Sequence, residues 1–362
     1  MKRICLIDFN MCIRGGVEQV TAALVNELCK VKVYDVHLIS LCGGDKLSYR
    51  IDKRATVHTF LPQELRLREM QRKIVPQLKK YFVQNNISVA IIQGNYAGFI
   101  VSPLRFFTKT KLVFCDHGAL MNQWNQKDIV FIRWISSLLC HKVVTLTEQS
   151  KKDYIKKFHL SKKKVKCIYN WIDLEAPHST VYNSESKRII SAGRFGKEKG
   201  FDLLVKAFTF VAPKHPNWSL DIFGDGEMMP VVKEMVQENG LENQVNLMGM
   251  KSDLAERYGD YAFYVLPSHR EGMPLVLLEA KANKLPIVSF DIMTGPREII
   301  QDKVSGLLVP PEDVKKLGEA MCQLIENIEL RVSMSEHSQD NLNEFSKDEI
   351  LKKWTTLIEE SV

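Results

Sequence analysis

These 362 residues contain no Cys-x-x-Cys pair, no Asp-x-Asp, no Gly-x-Gly-x-x-Gly and no long uninterrupted apolar run. Each absence excludes a class of protein. The eight cysteines are scattered, mostly within apolar strand or helix patterns, so they read as reduced core residues of a cytosolic protein and not as a disulfide framework. No zinc-like Cys/His spacing is present either, so no metal is expected. Lack of the dinucleotide fingerprint after the first strand argues against a nicotinamide enzyme. Lack of Asp-x-Asp removes the carboxylate pair typical of metal-held nucleoside diphosphates. The start, MKRICLIDF, has no long apolar core of a signal peptide and reads as a strand. The most apolar long stretch, Ile129 to Leu146, is broken by Arg133, His141 and Lys142, so nothing supplies the about 20 apolar residues of a membrane span.

What is present is a globular composition, 45% apolar and 26% charged, in a chain long enough for two domains. Charge is unevenly placed. Residues 1–170 hold 29 Lys and Arg against 12 Asp and Glu, a net of +17, and residues 171–362 carry −10. Basic clusters stand at Arg72-Lys73, Lys79-Lys80, Lys151-Lys152, Lys156-Lys157 and Lys162 to Lys166. They fit solvated helix faces, or a surface that meets anionic lipid or a phosphate-bearing acceptor. Aromatics are not interleaved with them and no nucleic-acid motif occurs, so nucleic acid is not an expected partner.

Apolar strand patterns alternate with amphipathic helix patterns along the whole chain. That predicts α/β architecture with mostly parallel sheets covered by helices on both faces. The expected first domain spans 1–170, with a linker at 171–187 rich in Pro, Ser, Thr and Asn and a second domain at 188–346. Among the expected helices are Pro62 to Gln84 (bent at Pro76), Tyr96 to Phe107, Glu148 to Phe158, Gly200 to Val211, Met229 to Glu238 and Asp253 to Tyr258. In open α/β sheets ligands bind beyond the carboxyl ends of the strands, so the polar loops after strands are where chemistry is sought.

Those loops carry the candidates. After the first strand, Gly15 and Gly16 let a backbone approach phosphate at a helix start. After the Leu112 strand comes His117, readable as structural or as catalytic. After the Arg188 strand, Arg194 and Lys199 follow Gly193 in a Gly-containing loop, two cations suited to a diphosphate. Gly224, after the Ser219 strand, permits close approach of a ligand, and Gly295 opens another loop-to-helix turn. The stretch SHREGMPLVLLEA at 268–280 places Glu271 and Glu279 eight residues apart. Pro274 predicts a helix start at that residue, with Glu271 in the loop and Glu279 in the second turn. Ionised carboxylates only accept hydrogen bonds and so suit ligand hydroxyls. Phosphate and hydroxyls together describe a nucleotide sugar.

Taken together, GGVE at 15–18, AGRFGKEKGFDLLVKAF at 192–208, FGDGE at 223–227, LPSHREGMPLVLLEA at 266–280, PIVSFDIMTGPREII at 286–300 and SGLLVPPED at 305–313 resemble the retaining GT-B glycosyltransferases of family 4, the group 1 class. The resemblance is most specific across 186–313. It implies two Rossmann-like doubly wound parallel-sheet domains facing across a cleft, with a C-terminal helix, about 347–362, crossing back to the first domain. It implies that Glu271 binds hydroxyls of the donor sugar, beside the backbone of Gly272, Met273, Pro274 and Leu275. Glu279 would hold the ribose, Arg194 and Lys199 the diphosphate, Gly16 would close over the phosphates, and His117 would help place the acceptor.

The implied reaction moves a hexose or N-acetylhexosamine from a UDP-sugar to a glycan or lipid-linked acceptor of the cell envelope, without metal or cofactor. Localisation would be cytoplasmic, with peripheral contact to anionic membrane through the basic first domain. No Asp or Glu in the first-half loops suits the carboxylate nucleophile of retaining glycosidases. The alternatives are a sugar-nucleotide epimerase, a phosphorylase or a GDP-mannose-dependent transferase.

Overall fold

The structure, a computed structural model, describes residues 1–44, 46–175, 182–251 and 254–361. The middle of the expected linker, 176–181, and the expected helix start at Asp253 lie outside the described residues. The chain divides into two compact units, Met1–Asn170 with Leu351–Val362, and Trp171–Ile350.

In the first unit seven parallel strands form one sheet. They are β1 (Lys2–Asp8), β2 (Tyr34–Cys42), β3 (Thr56–Leu61), β4 (Val89–Gln93), β5 (Lys111–Asp116), β6 (Lys142–Thr145) and β7 (Val165–Cys167), in the order β3-β2-β1-β4-β5-β6-β7. The central strands β4 and β5 are near-continuous apolar runs because helices cover both faces. Strand β3 lies at the edge and is exposed or half-exposed throughout, and Thr56, His58 and Thr59 supply polar side chains there.

The second unit has six parallel strands, β8 (Arg188–Ala192), β9 (Ser219–Phe223), β10 (Val245–Gly249), β11 (Phe263–Leu266), β12 (Ile287–Phe290) and β13 (Gly306–Val309). Their order is β10-β9-β8-β11-β12-β13, the doubly wound arrangement. Its core joins Phe201, Leu204 and Phe208 of the helix Phe201–Phe208 to Ile222 of β9 and to Leu317 and Met321 of the helix Val314–Glu326. Each such buried side chain stabilises the fold by about 2 kcal/mol.

Several helices depart from the sequence expectation for local reasons. The basic helix begins at Leu67, not Pro62, because β3 runs to Leu61 and the chain must first turn; it then continues unbroken through Pro76. The expected helix 96–107 is two pieces, Asn95–Val101 and a 3-10 turn Ser102–Phe106, since Pro103 cannot donate to the helical ladder. The final helix, Lys347–Ser361, buries Trp354 and Leu357, and from Leu351 onward it belongs to the first unit. There Tyr34 Oη donates to Glu359 Oε1 at 2.9 Å, and Lys2 pairs with the same carboxylate.

Candidate active site

Strand order in the second sheet reverses between β8 and β11, so the loops beyond Ala192 and Leu266 splay apart there and form a crevice. The loops are tied together at one point by His269 N, which donates to Glu198 O at 2.9 Å. Within this frame Lys199 Nζ donates to Glu271 Oε1 at 2.7 Å, and Ser268 Oγ donates to the same oxygen at 2.7 Å. The Glu271 side chain is 9% exposed and that of Lys199 21%. A third loop, after β12, completes the seat. Thr294 Oγ1 donates to the carbonyl of Glu271 at 2.6 Å. Gly295 has φ +98°, and a Cβ there would stand 2.7 Å from Pro274 Cδ, so only glycine fits against that ring.

The helix beyond this loop is Leu275–Ala282, and Pro274 occupies its N-cap position in extended backbone (φ −74°, ψ 111°). The expected start at Pro274 is therefore one residue early. Pro274 keeps the loop conformation, and the first helical N–H groups, which have no acceptor within the helix, belong to Leu275 and the residues after it. Glu279 lies in the second turn. Tyr258 Oη donates to Glu279 Oε2 at 2.8 Å. Tyr258 is buried and stacks on Tyr264 (6.2 Å between centroids), whose Oη donates to Ala192 O at the end of β8. Burial, reinforced by the Glu279 charge, holds the Tyr258 phenol well above its ordinary range, so it remains a donor.

Arg194 stands apart from this pair. Its guanidinium is 71% exposed and bonds Glu198 Oε1 at 2.6 Å, one turn of chain away. Gly193 lies beneath the Lys199 stem, where a Cβ would be in ordinary contact at 3.6 Å. Gly224 (φ +134°) sits directly against the loop after β8, and a Cβ there would fall 1.8 Å from Gly193 O. Its glycine is thus required by the meeting of two loops, a reason internal to the protein.

In the first unit the helix Gly16–Lys30 starts at the end of β1 with Gly15 as its N-cap. Gly16 is exposed, and a Cβ there would meet nothing within 4 Å. Behind it Asp8 is buried, accepting from Thr21 Oγ1 at 2.8 Å and from Asn10 N at 3.1 Å; burial pushes its carboxyl up to about 6. His117 follows β5, with Nε2 at 2.6 Å from Gln93 Oε1. Burial depresses the imidazole to about 4, against the opposing pull of Asp116, so the ring is neutral near neutrality. With Nε2 donating to Gln93, Nδ1 carries the lone pair. The adjacent Asp116 is fixed from three directions, by Arg133 Nε at 2.9 Å, Tyr154 Oη at 2.6 Å and Gly118 N at 3.1 Å.

Two family models divide the chain between them. "Glycosyltransferase Family 4" matches residues 14–176 and "Glycosyl transferases group 1" matches residues 175–341. The chain is a glycosyltransferase of this family. An uncharacterized glycosyltransferase of Haemophilus influenzae is 28% identical over 99% of this chain and 100% of that protein. A Campylobacter jejuni enzyme, N-acetylgalactosamine-N,N'-diacetylbacillosaminyl-diphospho-undecaprenol 4-alpha-N-acetylgalactosaminyltransferase, is 28% identical over 93% and 94%. Among solved structures, sucrose-phosphate synthase of Thermosynechococcus elongatus superposes with a TM-score of 0.87 at 17% identity, covering 99% of each chain, which shows a shared GT-B fold.

Sequence reasoning about the glycosyltransferase missed the residues that hold its candidates in place. Tyr258 looks like one more core aromatic beside Tyr261 and Tyr264, and nothing in its spacing marks the Glu279 contact. Ser268 is a small polar residue three positions before Glu271 with nothing in its type to mark the contact, and Thr294 meets the Glu271 carbonyl only when the loops after β11 and β12 are brought together. Arg133 appeared as an interruption in an apolar stretch, a buried charge that demands a partner. That signal was readable, and the partner is Asp116.

Proposed function

We propose that this glycosyltransferase moves a hexose or N-acetylhexosamine from a UDP-sugar to a lipid-linked or cell-surface glycan acceptor, with retention at the anomeric carbon and without a metal. The observation that carries the reading is the Lys199–Glu271 pair at the strand switch point of the second unit. It sets a cation suited to diphosphate oxygens beside a carboxylate suited to sugar hydroxyls. Glu279, held by Tyr258, takes the ribose hydroxyls, and the backbone from Gly272 to Leu275 lies alongside the sugar.

In this reading the bond from the anomeric carbon to the diphosphate oxygen breaks with its electron pair leaving on the phosphate. The acceptor oxygen attacks from the same face, and its proton passes to the departing phosphate oxygen. The protein contributes position and charge. Lys199 offsets the charge developing on the diphosphate, and Arg194 joins it by exchanging Glu198 for phosphate. His117, neutral and with its Nδ1 lone pair available, accepts a hydroxyl hydrogen bond from substrate without adding charge.

A lipid-linked acceptor is supported by the activity of the Campylobacter relative, whose acceptor is a diphospho-undecaprenol-linked sugar. The surface of the first unit also suits it. Phe131, Trp134 and Leu138 are exposed at helical spacing on the helix Lys127–Leu139, and Lys164 Nζ donates to Leu138 O at 2.9 Å. Apolar and cationic groups side by side fit the inner, anionic face of a plasma membrane. No helix among the described residues is long and apolar enough to cross one.

The test is a panel of UDP- and GDP-linked sugars assayed for transfer to lipid-linked acceptors and for slow hydrolysis, with linkage analysis of the product. Turnover of a UDP-hexose or UDP-N-acetylhexosamine with retained configuration, undiminished by chelator, is expected. Inversion, exclusive use of GDP-sugars, or abolition by chelator would overturn the corresponding part.

A further inference from the structure

One cluster of potential ligands lies away from the strand-end loops. His215 sits in the turn between the helix Phe201–Phe208 and the start of β9. Cys322 and Glu326 lie on the last turns of the helix Val314–Glu326, four residues apart and therefore on one face. That helix follows β13 and runs back along the sheet, so its end and the approach to β9 share the edge opposite the loops of Lys199 and Glu271. The His215 Nε2, Cys322 Sγ and a Glu326 carboxylate oxygen all lie within 4.8 Å of one another. His215 Nε2 is already 3.1 Å from Glu326 Oε1.

We propose that these three residues form a zinc site in which water supplies the fourth ligand. A tetrahedral zinc, with bonds of about 2.0–2.1 Å to nitrogen or oxygen and about 2.3 Å to sulfur, holds its donors roughly 3.3–3.6 Å apart. Zinc bound by these donors, which lie within 4.8 Å of one another, would turn the Cys322 and Glu326 side chains to that spacing.

The backbone of His215 is fixed while this happens. Its N–H donates to Val211 O at 3.0 Å, and its carbonyl accepts from Trp218 N at 3.0 Å and Gln244 Nε2 at 3.1 Å. Cys322 offers sulfur from the edge of the core, whereas Glu326, 59% exposed, reaches in from solvent and leaves the outer position to water. A nitrogen, sulfur and oxygen donor set suits zinc and disfavours magnesium and calcium, which take oxygen alone. Bound zinc would clamp the end of this helix to the turn before β9, a structural role separate from sugar transfer. No spacing motif announces the site, because His215 and Glu326 are 111 residues apart.

The full-length protein, stripped with chelator and exchanged into metal-free buffer, is titrated with cobalt(II). One equivalent should produce thiolate-to-cobalt charge-transfer absorption with the intense visible bands of a tetrahedral centre, and zinc should erase both. Cys322→Ser should abolish the charge-transfer band, and His215→Ala should weaken zinc binding by roughly tenfold or more. Zinc should raise the melting temperature of the wild type and leave that of Cys322→Ser unmoved. A wild-type protein without the thiolate band overturns the proposal, as does a band that survives in Cys322→Ser. If Cys322→Ser fails to fold, His215→Ala decides alone: unchanged zinc affinity overturns the site, and weakened affinity supports it.

Discussion

The ammonium of Lys199 and the carboxylate of Glu271 meet at 2.7 Å although 72 residues separate them, and each comes from a loop beyond a different strand of one sheet. The separate roles proposed for them predict separable losses. Glu271→Ala should lower transfer by about 10²–10³-fold while binding of free UDP persists. Lys199→Ala should weaken UDP itself. Steady-state transfer assays read against calorimetric titration of UDP distinguish the two. Unchanged transfer in Glu271→Ala would sink the role given to that carboxylate.

In the proposed reading Tyr258, which donates to Glu279 Oε2, acts on substrate through that carboxylate. Tyr258→Phe removes one hydroxyl and should weaken donor binding by about 1.5 kcal/mol, roughly tenfold, with kcat nearly unchanged. The loss should vanish when the donor carries a 2′,3′-dideoxyribose, because the hydroxyls proposed to meet Glu279 are then gone. An equal penalty on both donors would make Tyr258 a packing residue only.

Asp8, which is buried, and His117, which is half-buried, give pH effects of opposite sign. The imidazole of His117 is depressed from 6.5 to about 4, so its contribution to stability is fully present above pH 6.5 and is lost as pH falls through about 4. The carboxyl of Asp8 is raised from 3.8 to about 6, so its contribution is fully present below pH 3.8 and is lost as pH rises through about 6. Asp8→Asn should therefore gain on the wild type across that interval, by up to about 3 kcal/mol, and then level off. Urea unfolding at a series of pH values measures the difference. NMR titration of His117 with a midpoint near 6.5 would remove the other half of the prediction.

Binding to vesicles containing phosphatidylglycerol should fall with salt and with neutralisation of Lys162 to Lys164. Trp134→Ser and Phe131→Ser should weaken it by a route that salt does not mimic, since they remove apolar contact. Sedimentation with vesicles at several ionic strengths reads both. If no variant changes the bound fraction, this face of the first unit is ordinary solvated surface.

Much of the fold was legible because helix and strand periods are strongly written. The helices Glu148–Phe158 and Met229–Glu238 have the bounds that their sequence pattern predicts. Thr147 caps the first by accepting from Ser150 N at 3.1 Å, and His159 stops it in left-handed backbone. Departures arose where prolines such as Pro103 and Pro274 interrupted or displaced a helical ladder. At the site, charge type and loop position were readable for Glu271, Glu279 and Lys199. Partnership was not. Arg194 and Lys199 look alike in sequence, yet one finds Glu198 four residues away and the other finds Glu271 on a distant strand end. Neighbourhood of that second kind depends on strand order, which no local window contains.

The closing helix has a bearing on how the chain is made. Trp354, Leu357 and Glu359 complete the unit that contains the amino terminus, and Glu359 is bonded there by Lys2 and Tyr34. These residues are made only after the whole of the intervening unit, Trp171–Ile350. A nascent chain therefore carries its first sheet unfinished through the synthesis of the second, and that sheet gains its closing helix only when the second unit has been made.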